Sequence, residues 1–574
     1  MSYVICQELC SACHRCRTEC PQSAIRFKNA KYWIDPEKCI SCGKCAKVCH
    51  NGCISNPDKP EPKMPPHEKI VKTCDVCVIG GGGSGLVAAN RAQDSGCRVI
   101  LLEKMHEVGG SSWYAGGFRI HWCKRSAELG HVDDRDAKFD EFFEKSGRSV
   151  NPKLLRRMFE ANEQHANWLL EDHNAERVFQ VEPGHMGPGP EVIMMRKRGP
   201  WYDAGKRIDR MIGPGEVGSE MALFLQEEFL NGGGELLLKT SAAELMVDEN
   251  GTLCGVLARD EGGEVEIRCK AVIVASGAFS RNKELMKQFQ PIFWENEGKE
   301  AVHIFTAAGC TGDGIVMCRD LGADVDYINK RAVMFGPMRH PYPCASMAIF
   351  QSHDGISIGS QGNPFEGSMG VEISELTKDP LWYGWKIVDD AMAETAIGEA
   401  MEEPPQSPGM DLPKFQAKWR EVLEEEALDH SVVIAETPEE LAAKLGIDVD
   451  AFLKEIADYN ESTKYPRPLP PGMPEFMRPK HAPMAFGKGP YYAIKMKMFH
   501  ENAIGGVVID ENAAVLRDGK PIPGLFACGD NTRGIMFAGD LSVSYLEGVF
   551  TSLTQAYNEG YITGVEAAAY TKGI

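Results

Sequence analysis

No run of about 18 uncharged apolar residues occurs in the 574-residue chain, so no membrane-spanning helix is expected. The opening MSYVICQELC lacks the basic-then-apolar layout of a secretory signal, and the expected location is cytoplasmic. Positive charge is short as well: 62 Lys and Arg stand against 82 Asp and Glu, a net charge of −20. That deficit speaks against nucleic acid as a partner, because phosphate recognition needs a basic face. The 20 cysteines are not spread as a disulfide framework would be. Ten lie at or before Cys53 and ten are scattered through the rest, which points to metal ligation in a reducing compartment. The hydrophobic content of 43% is ordinary and supplies core for two or three domains.

The cysteine-rich head contains one spacing twice. Cys10, Cys13, Cys16 and Cys20 form C-x2-C-x2-C-x3-C before Pro21; Cys39, Cys42, Cys45 and Cys49 repeat it, with His50 where proline is expected. Thiolates so spaced wrap three corners of an iron–sulfur cubane while the fourth cysteine reaches the other cluster. The expected ligand sets are therefore Cys10, Cys13 and Cys16 with Cys49, and Cys39, Cys42 and Cys45 with Cys20. Zinc prefers two separated C-x-x-C pairs and suits this pattern poorly. Cys6 and Cys53 fall outside it and are expected to be bystander thiols. Residues 1–55 resemble the two-cluster bacterial ferredoxins, which implies two [4Fe–4S] clusters. Residues 1–59 carry a charge of +4 against −24 on the remainder, a balance suited to docking of the head on the body. Residues 56–73, with prolines at 57, 60, 62, 65 and 66, form a stiff spacer of about 40 Å reach.

From Cys74 the chain reads as strand, glycine turn, helix and strand. Val76 to Ile79 is an apolar run, Gly80, Gly82 and Gly85 fit G-x-G-x-x-G, and a second apolar run from Val99 ends at Glu103. Glycines let a backbone approach a pyrophosphate, the helix N-terminus faces its charge, and the terminal acid takes ribose hydroxyls. Three further segments resemble flavoproteins of the fumarate reductase and succinate dehydrogenase superfamily. They are Lys104 to Ser112 (with Gly110, Ser111 and Ser112) followed by Gly116 and Gly117; Ala275, Ser276 and Gly277, with the turn that holds Asp313; and the strand that ends in Gly529 and Asp530. The resemblance implies FAD, and Gly110 near the place of the histidine that tethers FAD in membrane-complex members implies that it is non-covalent. Ser542 and Val543 are carried over as further cofactor-binding positions. The expected fold is α/β: an FAD-binding Rossmann-like domain (74–325 and the return segment 499–574) with an inserted α+β capping domain (326–498), preceded by the small ferredoxin-like domain.

The chain departs from fumarate reductases at the substrate. Asn502 stands for their substrate histidine, Asp540 for a carboxylate-binding arginine, and no arginine lies between Gln351 and Gly355 where their proton donor falls. A dianion facing Asp540 without an opposing cation would be repelled in a low-dielectric pocket, so fumarate is not the expected substrate. Instead Met334, Phe335, Met338, Tyr342, Met347 and Phe350, then Met496, Met498 and Phe499, then Met536 and Phe537 suit a flat apolar ligand. Gly489-Pro490-Tyr491-Tyr492-Ala493-Ile494 resembles the segment of 3-ketosteroid dehydrogenases whose tyrosine meets the steroid ketone, which implies that Tyr492 polarises a carbonyl. Tyr492 or His500 is the expected proton donor, with Arg339 and His340 the other candidates.

The expectation that joins both halves is an FAD-dependent ene-reductase. Electrons enter through two [4Fe–4S] clusters from an external low-potential donor such as a ferredoxin, flavodoxin or NADH-linked protein. Hydride then passes from FAD to the C=C bond of a largely apolar α,β-unsaturated carbonyl compound, a steroid enone or an aryl enoate. The same chemistry run as a dehydrogenase, and an electron-transfer subunit of a larger complex, are the alternatives.

Overall fold

The computed structural model describes residues 2–10, 15–28, 31–59, 64–115, 118–128, 130, 132–183, 193–197, 216–290, 303–304, 306–327, 332–337, 345–350, 352, 354–364, 379–402, 412–428, 431–466, 481–502, 505–535 and 552–573. The expected α/β architecture is present. Of the expected site residues, Cys13, Gly116, Gly117, Arg339, His340, Ser542 and Val543 lie outside the described residues, as do Met338, Tyr342, Met536, Phe537 and Asp540.

The head is a small α/β unit. Ile25–Lys28 and Lys31–Ile34 pair antiparallel, Val4–Ile5 pairs with Ile54–Ser55, and short helices at Arg15–Thr18 and Lys44–Lys47 follow the first cysteines of each run. Its core is mostly sulfur: Cys16, Cys45, Cys49 and Cys53 pack with Ile25, Tyr32 and Ile54. A head this small cannot bury enough apolar surface alone, which is where cluster ligation adds stability. The latter half of the proline-rich segment is not a free spacer. His67 bonds Asp260 at 2.8 Å, and Ile70–Thr73 joins Glu264–Arg268 as a parallel strand.

The body is built on a six-stranded sheet in the order Glu235–Leu237, Val99–Leu102, Val76–Ile79, Ala271–Val274, Lys520–Ala527, Ala514–Arg517. Its first five strands run parallel and the last antiparallel. Val76–Ile79 and Val99–Leu102 are buried at every position, as expected of parallel strands covered on both faces. The helix Gly83–Asp94 packs on one face against the long C-terminal helix Ser552–Lys572. Gly560 permits this crossing, since a Cβ there would lie 2.4 Å from the Ser84 carbonyl oxygen, while Gly85 lets the helix start lie against the glycine turn, where a Cβ would come within 1.9 Å of the Gly80 carbonyl oxygen.

The cap is a second sheet centred on the twelve-residue strand Tyr491–Asn502, flanked by Tyr383–Asp389, Val432–Ala435, Ala332–Pro337 and, beyond Tyr383–Asp389, Ile356–Gly359. Its helices start as their sequences dictate. Thr437 caps Pro438–Leu445 by accepting from the Glu440 N–H at 3.2 Å, and Asp448 caps Val449–Ser462 by accepting from Ala451 at 2.7 Å. Gly505–Val507 then pairs antiparallel with Val325–Tyr327, so chain entering and leaving the cap meets at one junction.

Candidate flavin and iron–sulfur sites

The topology places the carboxyl ends of the parallel strands around a cleft, the place where ligands bind in such sheets. Twelve expected residues line it: Gly80, Gly82, Glu103, Lys104, Gly110, Ser111, Ser112, Ala275, Ser276, Gly277, Asp313 and Asp530. Gly85 and Gly529 do not, and act on the backbone instead: Gly85 where the helix lies against the Gly80 turn, Gly529 in a left-handed turn at φ 76° where a Cβ would strike Ser84 Oγ. Gly82 caps the Gly83–Asp94 helix, and a Cβ on it would meet nothing within 4 Å, so the helix N-terminus faces open space. That terminus attracts anions.

Two acids flank it, Glu103 buried and Asp530 half-buried. Glu103 accepts from the Gly81 N–H at 2.8 Å and the Met105 N–H at 2.7 Å. Burial pushes its carboxyl above the ordinary range, against the pull of those donors. A carboxylate with two bonds made still has lone pairs for hydroxyl donors. Asp530 is raised to about 6 by burial. Lys104 Nζ donates to Asp313 at 2.6 Å and to Thr311 at 2.5 Å, closing one wall. An anion-attracting helix end between carboxylates that accept from hydroxyls is the donor set a dinucleotide needs, so these residues fit FAD.

Behind Asp530, Glu559 holds the turn by accepting from the Gly529 N–H at 2.8 Å, Thr532 Oγ1 at 2.9 Å and Gln555 Nε2 at 2.8 Å. Burial raises it from 4.5 to about 7. Below about pH 4.5 folded and unfolded chains both hold this proton; between 4.5 and 7 only the unfolded chain releases it, so stability falls as pH rises through that window. The loss is on the order of 3 kcal/mol at about 1.4 kcal/mol per pH unit. Glu559→Gln keeps the three contacts once the Gln555 amide turns over. Thermal melts of the apoprotein across this window are expected to show a flatter pH dependence for the variant; an unchanged slope would remove Glu559 as its source.

In the head, Cys20, Cys39, Cys42 and Cys45 ring an apolar cavity of about 320 Å³ with Tyr3, Ala24, Ile25 and Gly43 on its walls. This is one of the two ligand sets expected, including the exchange of Cys20 into the other run's site. Among the described residues no three His, Cys, Asp or Glu converge where a single ion would sit. Four cysteines around one cavity are a donor set that an iron–sulfur cluster takes. On the opposite side Cys10, Cys16 and Cys49 are drawn together with Cys53, whose sulfur lies 3.3 Å from that of Cys49. Cys53 is thus a thiol beside the set, as expected of one near the clusters.

The head docks on the flavin loop, and not through its lysines. His50 is buried, its ring stacked on Trp113 at 4.5 Å and 10°. Its Nδ1 lies 2.6 Å from Glu107 Oε1, and its Nε2 lies 3.3 Å from the Gly110 carbonyl, on the cleft-lining loop. Asn51 accepts from Tyr114 OH at 3.1 Å and from the Ala308 N–H at 3.3 Å, and Arg281 donates to the Glu8 carbonyl at 3.4 Å. The sole sequence signal for this junction is a histidine in a proline's place.

The cap corrects one expectation. Tyr492 is buried in the cap core, donating to Asp390 at 2.8 Å with Trp419 against its ring, and does not line the cleft. Burial pushes its phenol well above the ordinary range. Met496 is likewise fully buried. His500 and Asn502 occupy register positions opposite Val333 and Ala332, at the end of their strand nearest the junction with the flavin domain. Ser84, Thr240, Ser241, Ala242, Cys310, Met317 and Ala556 also line the cleft and were not expected to. Thr240 to Ala242 follow a strand that pairs with Val99–Leu102 from more than a hundred residues away, a contact without a local signal. No helix among the described residues is long and apolar enough to cross a membrane.

Fold and sites together define a flavin- and iron–sulfur-dependent oxidoreductase. The family described as FAD binding domain matches residues 75–539, and the 4Fe-4S binding domain matches residues 32–55. The chain belongs to that FAD-binding family, with an iron–sulfur domain fused to it. It is similar to an NADH:fumarate oxidoreductase of Klebsiella pneumoniae, 27% identical over 81% of this chain, but spans only 45% of that protein. A vinyl phenol reductase of Lactiplantibacillus plantarum is 24% identical over 87% of this chain and 97% of the relative. A solved 3-ketosteroid delta1-dehydrogenase from Sterolibacterium denitrificans shares the fold at a TM-score of 0.67, with 19% identity over 87% of this chain and all of that one.

Proposed function

We propose that the protein reduces the C=C bond of a largely apolar α,β-unsaturated carbonyl compound, with electrons entering through two [4Fe–4S] clusters. The observation that carries this reading is the His50 junction: the cysteine head sits on the loop that lines the flavin cleft, so electron entry and flavin share one chain. A bare electron-transfer subunit has no use for a substrate cap, which this chain possesses. FAD, when bound, supplies storage for two electrons and their delivery as hydride.

The chain's own residues hold and orient. Gly80, Gly82 and the helix end cradle the pyrophosphate, Glu103 takes the ribose hydroxyls, and Asp530 takes the ribityl chain. Ser111 Oγ, which accepts from the Ala307 N–H at 3.1 Å and contacts Cys310 Sγ at 3.2 Å, fixes the loop at the ring end. Cys10, Cys13, Cys16 and Cys49 hold the cluster beside the junction, and Cys20, Cys39, Cys42 and Cys45 the outer one. With the Tyr492 hydroxyl committed to Asp390, His500 takes the place of proton donor. The steroid reading rested on Tyr492, so an aryl enoate or enone is favoured. The vinyl phenol reductase matched along nearly its whole length supports this choice, since its named substrate is an aryl alkene.

Anaerobically photoreduced protein mixed with aryl enoates, enones and fumarate is expected to reoxidise with the first two. Rapid turnover of fumarate would defeat the argument from Asn502 and Asp540.

A further inference from the structure

The head has one face spent and one face open. Glu8, His50 and Asn51 are committed to the flavin domain, while the ring of Cys20, Cys39, Cys42 and Cys45 reaches the surface elsewhere on the head. There Cys42 is exposed, and Ile40, between two cysteines of the ring, is 59% exposed. A single exposed isoleucine is unremarkable in itself. Its setting is not. Lys38, Lys44 and Lys47, near it in sequence, are all exposed, and among the described residues none of the three makes an ion pair. Arg26 is also exposed in the head; Glu37 is the exposed acid of the same turn, and Asp35 beside it is occupied in accepting from the Glu37 N–H at 3.0 Å. The lysines give this surface a charge opposite to that of the acidic body, and they do not serve the intramolecular docking, which runs through His50.

We propose that this surface is the docking site of an acidic one-electron carrier protein, with Ile40 as the apolar centre of the contact and Lys38, Lys44 and Lys47 as its steering rim. The proposal rests on the electron route above and orders it: entry at the Cys20/Cys39/Cys42/Cys45 ring, exit through the side that carries Cys49 and His50. Complementary charge around a small dry contact raises the encounter rate and selects the partner. Each encounter oxidises the carrier by one electron and reduces the ring's cluster by one. Two encounters, with two protons taken from solvent, supply the two electrons and two protons that turn one C=C bond into CH–CH.

The test compares the holoprotein with its Lys38→Gln/Lys44→Gln/Lys47→Gln variant, using a strongly acidic [2Fe–2S] ferredoxin as the carrier and reduced methyl viologen, a cation, as the control. Binding of oxidised ferredoxin is measured by calorimetry, and cluster reduction by stopped flow, at low and at raised salt. The variant is expected to bind about tenfold more weakly and to lose most of the salt dependence seen in the parent. Viologen is expected to reduce both proteins equally, and the cluster absorbance of the two to match. Parent-like ferredoxin binding by the variant, or binding by the parent that salt does not weaken, overturns the proposal. No alkene enters the binding measurement, so a silent alkene panel with salt-sensitive binding faults the proposed reaction alone. A productive panel with unaltered binding faults the docking surface alone.

Discussion

Cys20→Ala, Cys42→Ala and the double variant are each expected to retain about half the iron of the parent, about four atoms in place of about eight per chain. Carrier-driven turnover should fall by at least about 100-fold in all three. The reasoning is geometric. Cys20 and Cys42 belong to different runs in sequence but stand on one apolar cavity with Cys39 and Cys45. If they ligate one cluster, removing both harms nothing that removing one has spared. If Cys20 served the cluster of its own run, the double variant would lose both clusters and nearly all its iron. The photoreduced flavin of each variant should still be reoxidised by an aryl enone, because the cleft residues are untouched. Carrier-driven turnover at the parent rate in Cys42→Ala would show that electrons do not enter through the ring.

His50→Ala should separate the two halves without stripping either. The His50 ring is 3% exposed, stacks on Trp113 at 4.5 Å, bonds Glu107 at 2.6 Å and reaches the Gly110 carbonyl at 3.3 Å. A stacked aromatic contact contributes about 0.5 to 1.5 kcal/mol beyond burial, and a hydrogen bond to a charged group about 1.5 to 3 kcal/mol. A few kcal/mol decide the occupancy of a contact whose partners are tethered at millimolar effective concentration. Electron transfer falls off exponentially with the separation of the redox centres, so flavin reduction by carrier is expected to slow once the head is no longer held against the flavin loop. Iron content, FAD content and the first cluster-reduction phase should stay at parent levels. His50→Gln, which can keep a hydrogen bond to Glu107 but not the stack, should fall between the two. Flavin reduction at the parent rate in His50→Ala would remove the junction from the electron route. The same variant distinguishes position from ligation, since Cys49 next to it is unchanged.

Much of the site was legible because its signals are local. C-x2-C-x2-C-x3-C places thiolates around a turn within a dozen residues, and the glycines of Gly80 to Gly85 answer to a strand-to-helix turn only six residues long. Glu103 is reached by counting from that turn to the end of the next strand. Thr437 and Asp448 announce helix starts by the same short-range chemistry, a side-chain oxygen three residues before the N–H it accepts from. The misjudged residues depend on partners far along the chain. Tyr492 sits in a segment that matches a catalytic one, but Asp390, a hundred residues earlier, takes its hydroxyl. Thr240 to Ala242 reach the cleft because Glu235–Leu237 pairs with Val99–Leu102 across a long excursion. The net charge of the head suggested docking, and docking occurs, but through an aromatic stack and a short hydrogen bond rather than through the lysines.

By itself the sequence determined the cofactors' class, the order of the domains and the apolar strands that hold them, since each depends on spacings of a few residues that backbone geometry converts into shape. Only the tertiary structure decided which cysteines share a cavity, that His50 is buried against the flavin loop, that Tyr492 is spent in the cap, and that Lys38, Lys44 and Lys47 remain exposed. Those are statements about which surfaces meet. They follow from packing across sequence separations where no periodicity or motif survives.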